Sequence, residues 1–258
     1  MNDRERSHMK LRLDKFLVER GLAASRERAQ ALILAGKVLV DEQRVDKAGV
    51  QVEATAAIRL LGEDLKYVGR GGLKLERALE YWSIDVRGKV CLDVGASTGG
   101  FTDCLLQRGA ARVIAVDTGY GQFDFKLRQD SRVRLLEKTN ARYLTRGILA
   151  DMVDFIAMDV SFISATLVLP AVVCSAFPDR PDANTLREIV VLAKPQFEAG
   201  REHVGKGGIV RDPDVQAAAV GKVRQALSDL ACHDIDVIES PILGVEGNRE
   251  FLLYGCFN

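Results

Sequence analysis

The sequence predicts an α/β fold with a mostly parallel sheet of seven strands, preceded by a small α+β unit. Three observations carry this expectation. From about residue 69 onward, short apolar runs alternate with segments of helical apolar spacing, the pattern left by strand–helix crossovers. The stretch KVCLDVGASTGGFTDCLLQR, residues 89–108, passes from an apolar strand through a glycine-rich turn into a helix. The first 60 or so residues show a different order, two short helices followed by a hairpin.

In the first unit, expected over residues 9–61, the polar segment 1–8 is expected to be disordered, and Met9 is a candidate start. Leu13, Phe16 and Leu17 fall at i, i+3 and i+4 on a helix that Gly21 ends. Ser25 is placed to cap a second helix, with Glu27 in its first turn, Ala29, Leu32 and Ile33 on its inner face, and Gly36 as its stop. Val38 and Val40, the polar turn Asp41-Glu42-Gln43 and then Val45 read as a hairpin. A connector, 62–68, leads into the larger unit, 69–258. There a helix is expected at 73–81, with strands near 90–94, 112–117, 132–136, 153–159, 188–193, 235–239 and 251–256. Further helices are expected at 100–108, 123–129, 162–176 and 213–230. The loop joining the last two strands is too short for a crossover helix, so these strands should pair antiparallel.

Bulk properties exclude several classes. Lysine plus arginine equals aspartate plus glutamate at 36 each, so any nucleic-acid affinity must come from a local patch. Five scattered cysteines without C-x-x-C spacing point to reduced thiols and a cytoplasmic protein. The three histidines share no ligand spacing, and no metal is expected. No apolar leader opens the chain, and the longest apolar stretch, near 167–177, is broken by Pro170, so no membrane segment is expected.

In open α/β sheets ligands bind beyond the carboxyl ends of the strands, which directs attention to polar residues there. The turn Gly95-Ala96-Ser97-Thr98-Gly99-Gly100 lets backbone approach a ligand closely, but its spacing departs from the G-x-G-x-x-G of dinucleotide sites. Asp93 and Asp117, at two strand ends, suit the amino group and ribose diol of a nucleoside carrying an amino acid. Asp159 and Lys194 each close an apolar run, where a charge is costly unless it faces a cleft or a partner, and each can supply the other's partner. A plain salt bridge sealing the sheet is the alternative. Lys74 and Glu250, taken singly, are ordinary surface charges. In the first unit, Arg12, Lys15, Arg20, Arg26, Arg28 and Lys37 form a basic face able to follow a phosphate backbone; a solvated face interspersed with Asp14, Glu19 and Glu27 is the alternative. Residues 205–208 form a glycine-rich loop, either a lid or RNA clamp or a connector.

The glycine turn with its two acids resembles the S-adenosylmethionine site of the Rossmann-like class I methyltransferases. The run RLDKFLVERGLAASRERAQALILAGKVLVDEQRV resembles the S4 RNA-binding domain over about residues 11–61. Lys74, Asp159, Lys194 and Glu250 fall where FtsJ-like RNA 2′-O-methyltransferases place a Lys-Asp-Lys-Glu tetrad. The motifs RGGLKL, LDVGASTGGFTD, VIAVDTGYGQ, MDVSFIS, AKPQFE, GGIVRDP and GNREF, in this order behind an S4 domain, are similar to the TlyA (hemolysin A) family. The resemblance covers about 11–257 and implies transfer of methyl from S-adenosylmethionine to a cytidine ribose in ribosomal RNA.

The tetrad would be catalytic. The cofactor would be held by Asp93, Gly95, Ser97, Thr98, Gly99, Gly100, Asp117 and Asp159, and RNA by the basic face together with Arg70. Two departures stand out: Gly69, where relatives are expected to carry serine, and Tyr67, in place of a linker tryptophan. Two versions of the chemistry stay open, Lys194 as a neutral base or as a cation stabilising the developing alkoxide. Three rival readings are an NAD-dependent oxidoreductase, disfavoured by the glycine spacing, a non-catalytic RNA-binding factor, and a membrane-damaging toxin, disfavoured by the lack of a strongly amphipathic basic segment.

Overall fold

The computed structural model describes residues 10–23, 25–61, 66–178, 186–244 and 247–257. The expectations for residues 1–9 and for most of the connector, 62–65, lie outside the described residues. The chain divides into two compact units, Met1–Asp64 and Leu65–Asn258.

The first unit runs β1 (Lys10–Arg12), α1 (Leu13–Glu19), α2 (Arg26–Leu34), β2 (Val38–Val40), β3 (Gln43–Val45), β4 (Gln51–Glu53) and β5 (Ile58–Leu60). Ser25 caps α2, its Oγ accepting the Arg28 backbone N–H at 3.2 Å. Leu13, Phe16 and Leu17 of α1 pack on Ala29, Leu32 and Ile33 of α2, with Val38 and Val52 closing the core. Burial of each such Leu, Ile or Phe contributes about 1.5–3 kcal/mol, the main stabilisation open to so small a unit. β2 lies between β3 and β5, antiparallel to both, and β1 pairs with β4. The sequence reading missed β1, β4 and β5, because three-residue strands are too short to show alternation.

The second unit contains α3 (Gly71–Tyr81), β6 (Val90–Val94), α4 (Gly100–Gln107), β7 (Arg112–Val116), α5 (Phe125–Gln129), β8 (Val133–Leu136), α6 (Arg146–Leu149), β9 (Phe155–Met158), α7 (Leu169–Ala176), β10 (Arg187–Ala193), α8 (Pro195–Glu198), α9 (Pro213–Asp229), β11 (His233–Glu239) and β12 (Phe251–Phe257). The seven strands are ordered β11-β12-β10-β9-β6-β7-β8. β12 runs antiparallel to β10 and β11, and the pairs from β10 through β8 are parallel. The strand order reverses at β6 and β9, which opens a crevice at their carboxyl ends.

Side chains alternate between the two faces of the sheet. Leu92, Val94, Ile156, Met158, Ile189 and Val191 pack beneath α7 and α9. Cys91, Phe155, Ala157, Val190, Leu192 and Leu252 pack beneath α3 and α4. Cover on both faces explains why these strands read as unbroken apolar runs rather than as alternating ones.

Besides α6 and α8, four-residue helices too short to show a helical period and not expected, two segments differ from expectation. The single helix expected over 162–176 is a 3-10 turn, Ala165–Leu167, followed by α7. Ser164 caps that turn through the Thr166 N–H, and Phe162 at φ 64° makes 161–164 a loop. Tyr67, read as part of the connector, is buried in the core of the second unit and donates to Glu76 Oε1 at 2.9 Å.

Candidate active site

Strand parity explains how four distant residues meet. Asp159 continues the face of Phe155 and Ala157, Lys194 that of Val190 and Leu192, and Glu250 that of Leu252; all three turn to the side where α3 packs. Because Ala193 pairs with Phe251 across the antiparallel β10–β12 ladder, the next residues outward are Lys194 and Glu250. Lys74, buried on the first turns of α3, completes the group. Lys74 Nζ meets Glu250 Oε2 at 2.5 Å, and Lys194 Nζ meets Asp159 Oδ1 at 2.6 Å. All four line one cavity of about 410 Å³, together with Gly95, Ser97, Thr98, Gly100 and Arg70.

A second cavity, of about 500 Å³, adjoins the first and shares Gly95, Ser97, Asp159 and Ser161 with it. Its lining includes Asp117, Gln122, Thr139 and Asn140, but no lysine or arginine among the described residues. Asp117 faces this lobe with no lysine or arginine in the lining to offset it, which disfavours a pyrophosphate and favours a neutral or positively charged nucleoside. The two-lobed space therefore fits a nucleoside bearing a cationic amino-acid chain better than it fits a dinucleotide.

The turn between the lobes is built by close approach. Gly95 stands at φ 88°, and a β-carbon there would collide with the Asp159 carbonyl oxygen. Gly99, at φ 96°, is the N-cap of α4 and lines neither cavity. Asp117 holds the turn, accepting the Ser97 N–H at 2.7 Å and the Gly119 N–H at 2.6 Å. At Gly69 a β-carbon would lie 2.6 Å from Thr98 Oγ1, so a serine there requires the Thr98 side chain to turn away.

Asp93 differs from its expected place. It is fully buried and lines neither cavity, because it sits level with Ala157, two residues below Asp159 and under α4, where Oδ2 accepts from Thr102 Oγ1 at 2.6 Å. Burial without a cation pushes its carboxyl up to about 7, and the Thr102 hydrogen bond only partly opposes this.

Several site residues escaped the sequence reading. Ser161 Oγ accepts from Lys194 Nζ at 2.6 Å. Buried Glu198, on α8 just past Lys194, accepts the Ser164 hydroxyl at 2.5 Å and the Ala165 N–H at 2.6 Å, tying the loop after Lys194 to the loop after Asp159. Buried Asn248 accepts the Val210 N–H at 2.9 Å and donates to Gly208 O at 2.8 Å, so the 205–208 loop is tied to the segment that carries Glu250. Thr139 and Asn140 follow β8, so the strand-end rule that found Asp159 also points to them.

In the first unit, Asp14 is fully buried rather than part of a solvated face. It accepts from Arg12 Nε and Nη2 at 3.0 and 2.9 Å, from Arg26 Nε at 2.9 Å and from Gln30 Nε2 at 2.9 Å. The Arg12 guanidinium foremost holds its carboxyl far below the usual range, against the effect of burial. Arg20 donates to Ala54 O at 2.7 Å and stacks over Phe16. Lys15 is exposed, and Arg28 and Lys37 are half-buried. In the second unit Arg70 is exposed at the start of α3, donating to Leu243 O at 3.1 Å.

Comparison with known proteins gives matches to both units. Residues 67–257 match the FtsJ-like methyltransferase family, and residues 11–58 match the S4 domain. YqxC from Bacillus subtilis (strain 168), provisionally named an rRNA methyltransferase, is 47% identical over 95% of this chain and 85% of its own. The 16S/23S rRNA (cytidine-2′-O)-methyltransferase TlyA of Mycobacterium tuberculosis (strain ATCC 25618 / H37Rv) is 46% identical over 94% of this chain and 88% of its own. A solved structure from Streptococcus thermophilus, provisionally titled a hemolysin, superposes with TM-score 0.72 at 41% identity, covering 96% of this chain and 88% of the other.

Proposed function

The chain belongs to the FtsJ-like methyltransferase family, fused to an S4 domain, and from that premise we propose that it methylates the ribose 2′-oxygen of cytidine in ribosomal RNA, using S-adenosylmethionine. The observation that carries this reading is the meeting of the two cavities at Asp159, an acid-lined lobe free of cations on one side and the Lys74–Glu250 and Lys194–Asp159 pairs on the other. S-adenosylmethionine, when bound, supplies an already activated sulfonium methyl. Asp117, Thr139 and Asn140 would hold the nucleoside part, and the Gly95–Ser97 backbone its amino-acid part.

The protein's task is then to place one hydroxyl and to stabilise its oxygen as charge develops. Lys194 Nζ sits between the Asp159 carboxylate and the Ser161 hydroxyl, which favours the charged lysine of the two versions considered. In this form Nζ donates to the 2′-oxygen and stabilises the alkoxide. Lys74, anchored by Glu250, adds a second positive charge and orients the ribose. The S4 unit, proposed to span residues 9–61, and Arg70 bring the RNA backbone to the cleft through Arg12, Lys15, Arg20, Arg26, Arg28 and Lys37, in the cytoplasm where ribosomes are assembled. Among the described residues no helix is long and apolar enough to cross a membrane.

The test is transfer of labelled methyl from S-adenosylmethionine to isolated ribosomal subunits, followed by alkaline digestion. A methylated 2′-oxygen blocks cleavage at its own link, so label should appear in alkali-resistant dinucleotides. Label released in mononucleotides would assign the methyl to a base, and absence of label on either subunit would leave only an RNA-binding role.

A further inference from the structure

Away from the cleft, three side chains of different chemistry converge where β11 begins and β12 ends. His233 Nδ1 lies 3.1 Å from Asp234 Oδ2, Cys256 Sγ lies 3.4 Å from His233 Nδ1, and Cys256 Sγ lies 3.6 Å from Asp234 Oδ2. In an unbroken strand His233 and Asp234 would point to opposite faces. Here the β11–β12 register shifts between His233 and Asp236, and Asp234 takes φ 52°, a left-handed conformation that aspartate tolerates better than most side chains. The bulge turns two consecutive side chains onto one cysteine of the neighbouring strand.

We propose that His233, Asp234 and Cys256 form a binding site for a single divalent transition-metal ion of the zinc class, which staples the edge strand β11 to β12. A tetrahedral ion with nitrogen and oxygen ligands at about 2.0 Å and sulfur at about 2.3 Å separates its ligand atoms by about 3.3–3.6 Å. The observed triangle of 3.1, 3.4 and 3.6 Å matches that to within a few tenths of an ångström. The donor set of one imidazole, one thiolate and one carboxylate suits a borderline-soft cation rather than calcium or magnesium. The two negative ligands neutralise a divalent charge.

The Asp234 side chain is 79% exposed, which leaves a fourth position open to water. The neighbouring hollow is lined by Arg224, Gln225 and Ser228 of α9, and the Arg224 guanidinium is directed to the Ile235 carbonyl oxygen at 3.2 Å. His233 pairs with Cys256 at one end of the β11–β12 ladder, whereas Glu239 pairs with Phe251, beside Glu250, at the other. The ion therefore holds an edge strand in place and takes no part in methyl transfer. Histidine spacing along the chain gives no hint of it, because Asp234 and Cys256 are 22 residues apart and strand pairing alone joins them.

Hydrogen bonding alone also draws a thiol, an imidazole and a carboxylate together, and metal titration separates the two cases. The full chain, stripped with a chelator under reducing conditions, is titrated with Co²⁺ alone. One equivalent should bind with a thiolate-to-cobalt charge-transfer band and the intense visible bands of a tetrahedral ion, and Zn²⁺ should displace it. Cys256→Ser should abolish the charge-transfer band, whereas Cys174→Ser, at an exposed cysteine elsewhere, should leave it. Asp234→Asn changes an exposed side chain that is absent from the core, so it decides the matter even if Cys256→Ser fails to fold; loss of an outer-shell partner already costs about tenfold in affinity, and loss of this ligand should cost at least that. The proposal is overturned if Co²⁺ gives no thiolate band, or if the band and the affinity survive in Asp234→Asn.

Discussion

Asp14 in the first unit and Asp159 in the second are both carboxylates set against cations, yet one network is closed and the other open. Asp14 is fully buried, and its two oxygens receive Arg12, Arg26, Gln30 and the Lys15 backbone N–H, leaving no acceptor capacity for anything else. Asp159 meets Lys194, which also donates to Ser161 and keeps one ammonium hydrogen unassigned, and both side chains line a cavity wide enough for a ribose. Both carboxylates have a cation partner, though Asp159 is the less buried, 18% exposed against 0%. What differs is spare hydrogen-bonding capacity pointed into a space, which is what chemistry on a substrate requires. Asp93 is a third case, buried with one partner, Thr102, and no cation.

The comparison is sharpened most by removing the open pair. Lys194→Ala should lower methyl transfer to ribosomal subunits by about 10³-fold or more while leaving the melting temperature near that of the parent. Near-normal turnover would place Asp159 in the same closed class as Asp14.

Asp93 gives the next largest effect, and it acts on stability. Its carboxyl titrates near 7 when folded, against about 3.9 in an unfolded chain. Between those values the folded state carries a proton that the unfolded state lacks, so stability should fall as pH rises from about 4 to about 7 and level off above. Asp93→Asn keeps an acceptor for Thr102 and removes the buried charge. It should therefore melt higher than the parent at pH 8, by as much as about 4 kcal/mol, and equally at pH 4. Denaturant melts of the ligand-free protein at both pH values decide this.

Glu198 tests how the open pair is held. Glu198→Gln keeps one oxygen for the Ala165 N–H but turns an NH2 toward Ser164, whose oxygen already accepts the Thr166 N–H, and should loosen the loops that carry Asp159 and Lys194. Turnover should fall by about 10–100-fold with the protein still folded, since small misplacements of reacting groups are costly. An unchanged kcat would mean that each loop holds its own residue.

The smallest effect belongs to the closed network. Asp14→Ala should destabilise the first unit by about 2 kcal/mol and weaken RNA binding, because Arg12 and Arg26 lose their common anchor, without altering affinity for the methyl donor. Its stabilising contribution should persist at all pH values above about 4 and be lost only in stronger acid, since the folded carboxyl titrates well below the unfolded one. Calorimetry and filter binding measure the two consequences.

Much of this was legible in the chain. The strands of the second unit end within one or two residues of their expected limits, because each long apolar run stops at a charge or a turn former. The alternation that sends Asp159 and Lys194 to one face can be counted along β9 and β10 without coordinates. Asp93 was misjudged because it shares the face of Asp159 but not its level; it pairs with Ala157, two residues short of Asp159, and there it lies under α4 and bonds Thr102. Asp14 was misjudged because nothing in its spacing reveals that an arginine and a glutamine on the next helix close over it.

Taken alone, the order of residues determines the local states of this protein, its turns and caps, and which charges stand at strand ends, since these depend on neighbours within a few positions. The tertiary structure alone decides the strand order, the antiparallel return of β12 that sets Glu250 beside Lys194, and the two-lobed cavity. It also decides which buried acids are saturated and which keep a free valence. These outcomes depend on contacts between residues tens to hundreds of positions apart, and packing selects among pairings that local pattern leaves equivalent.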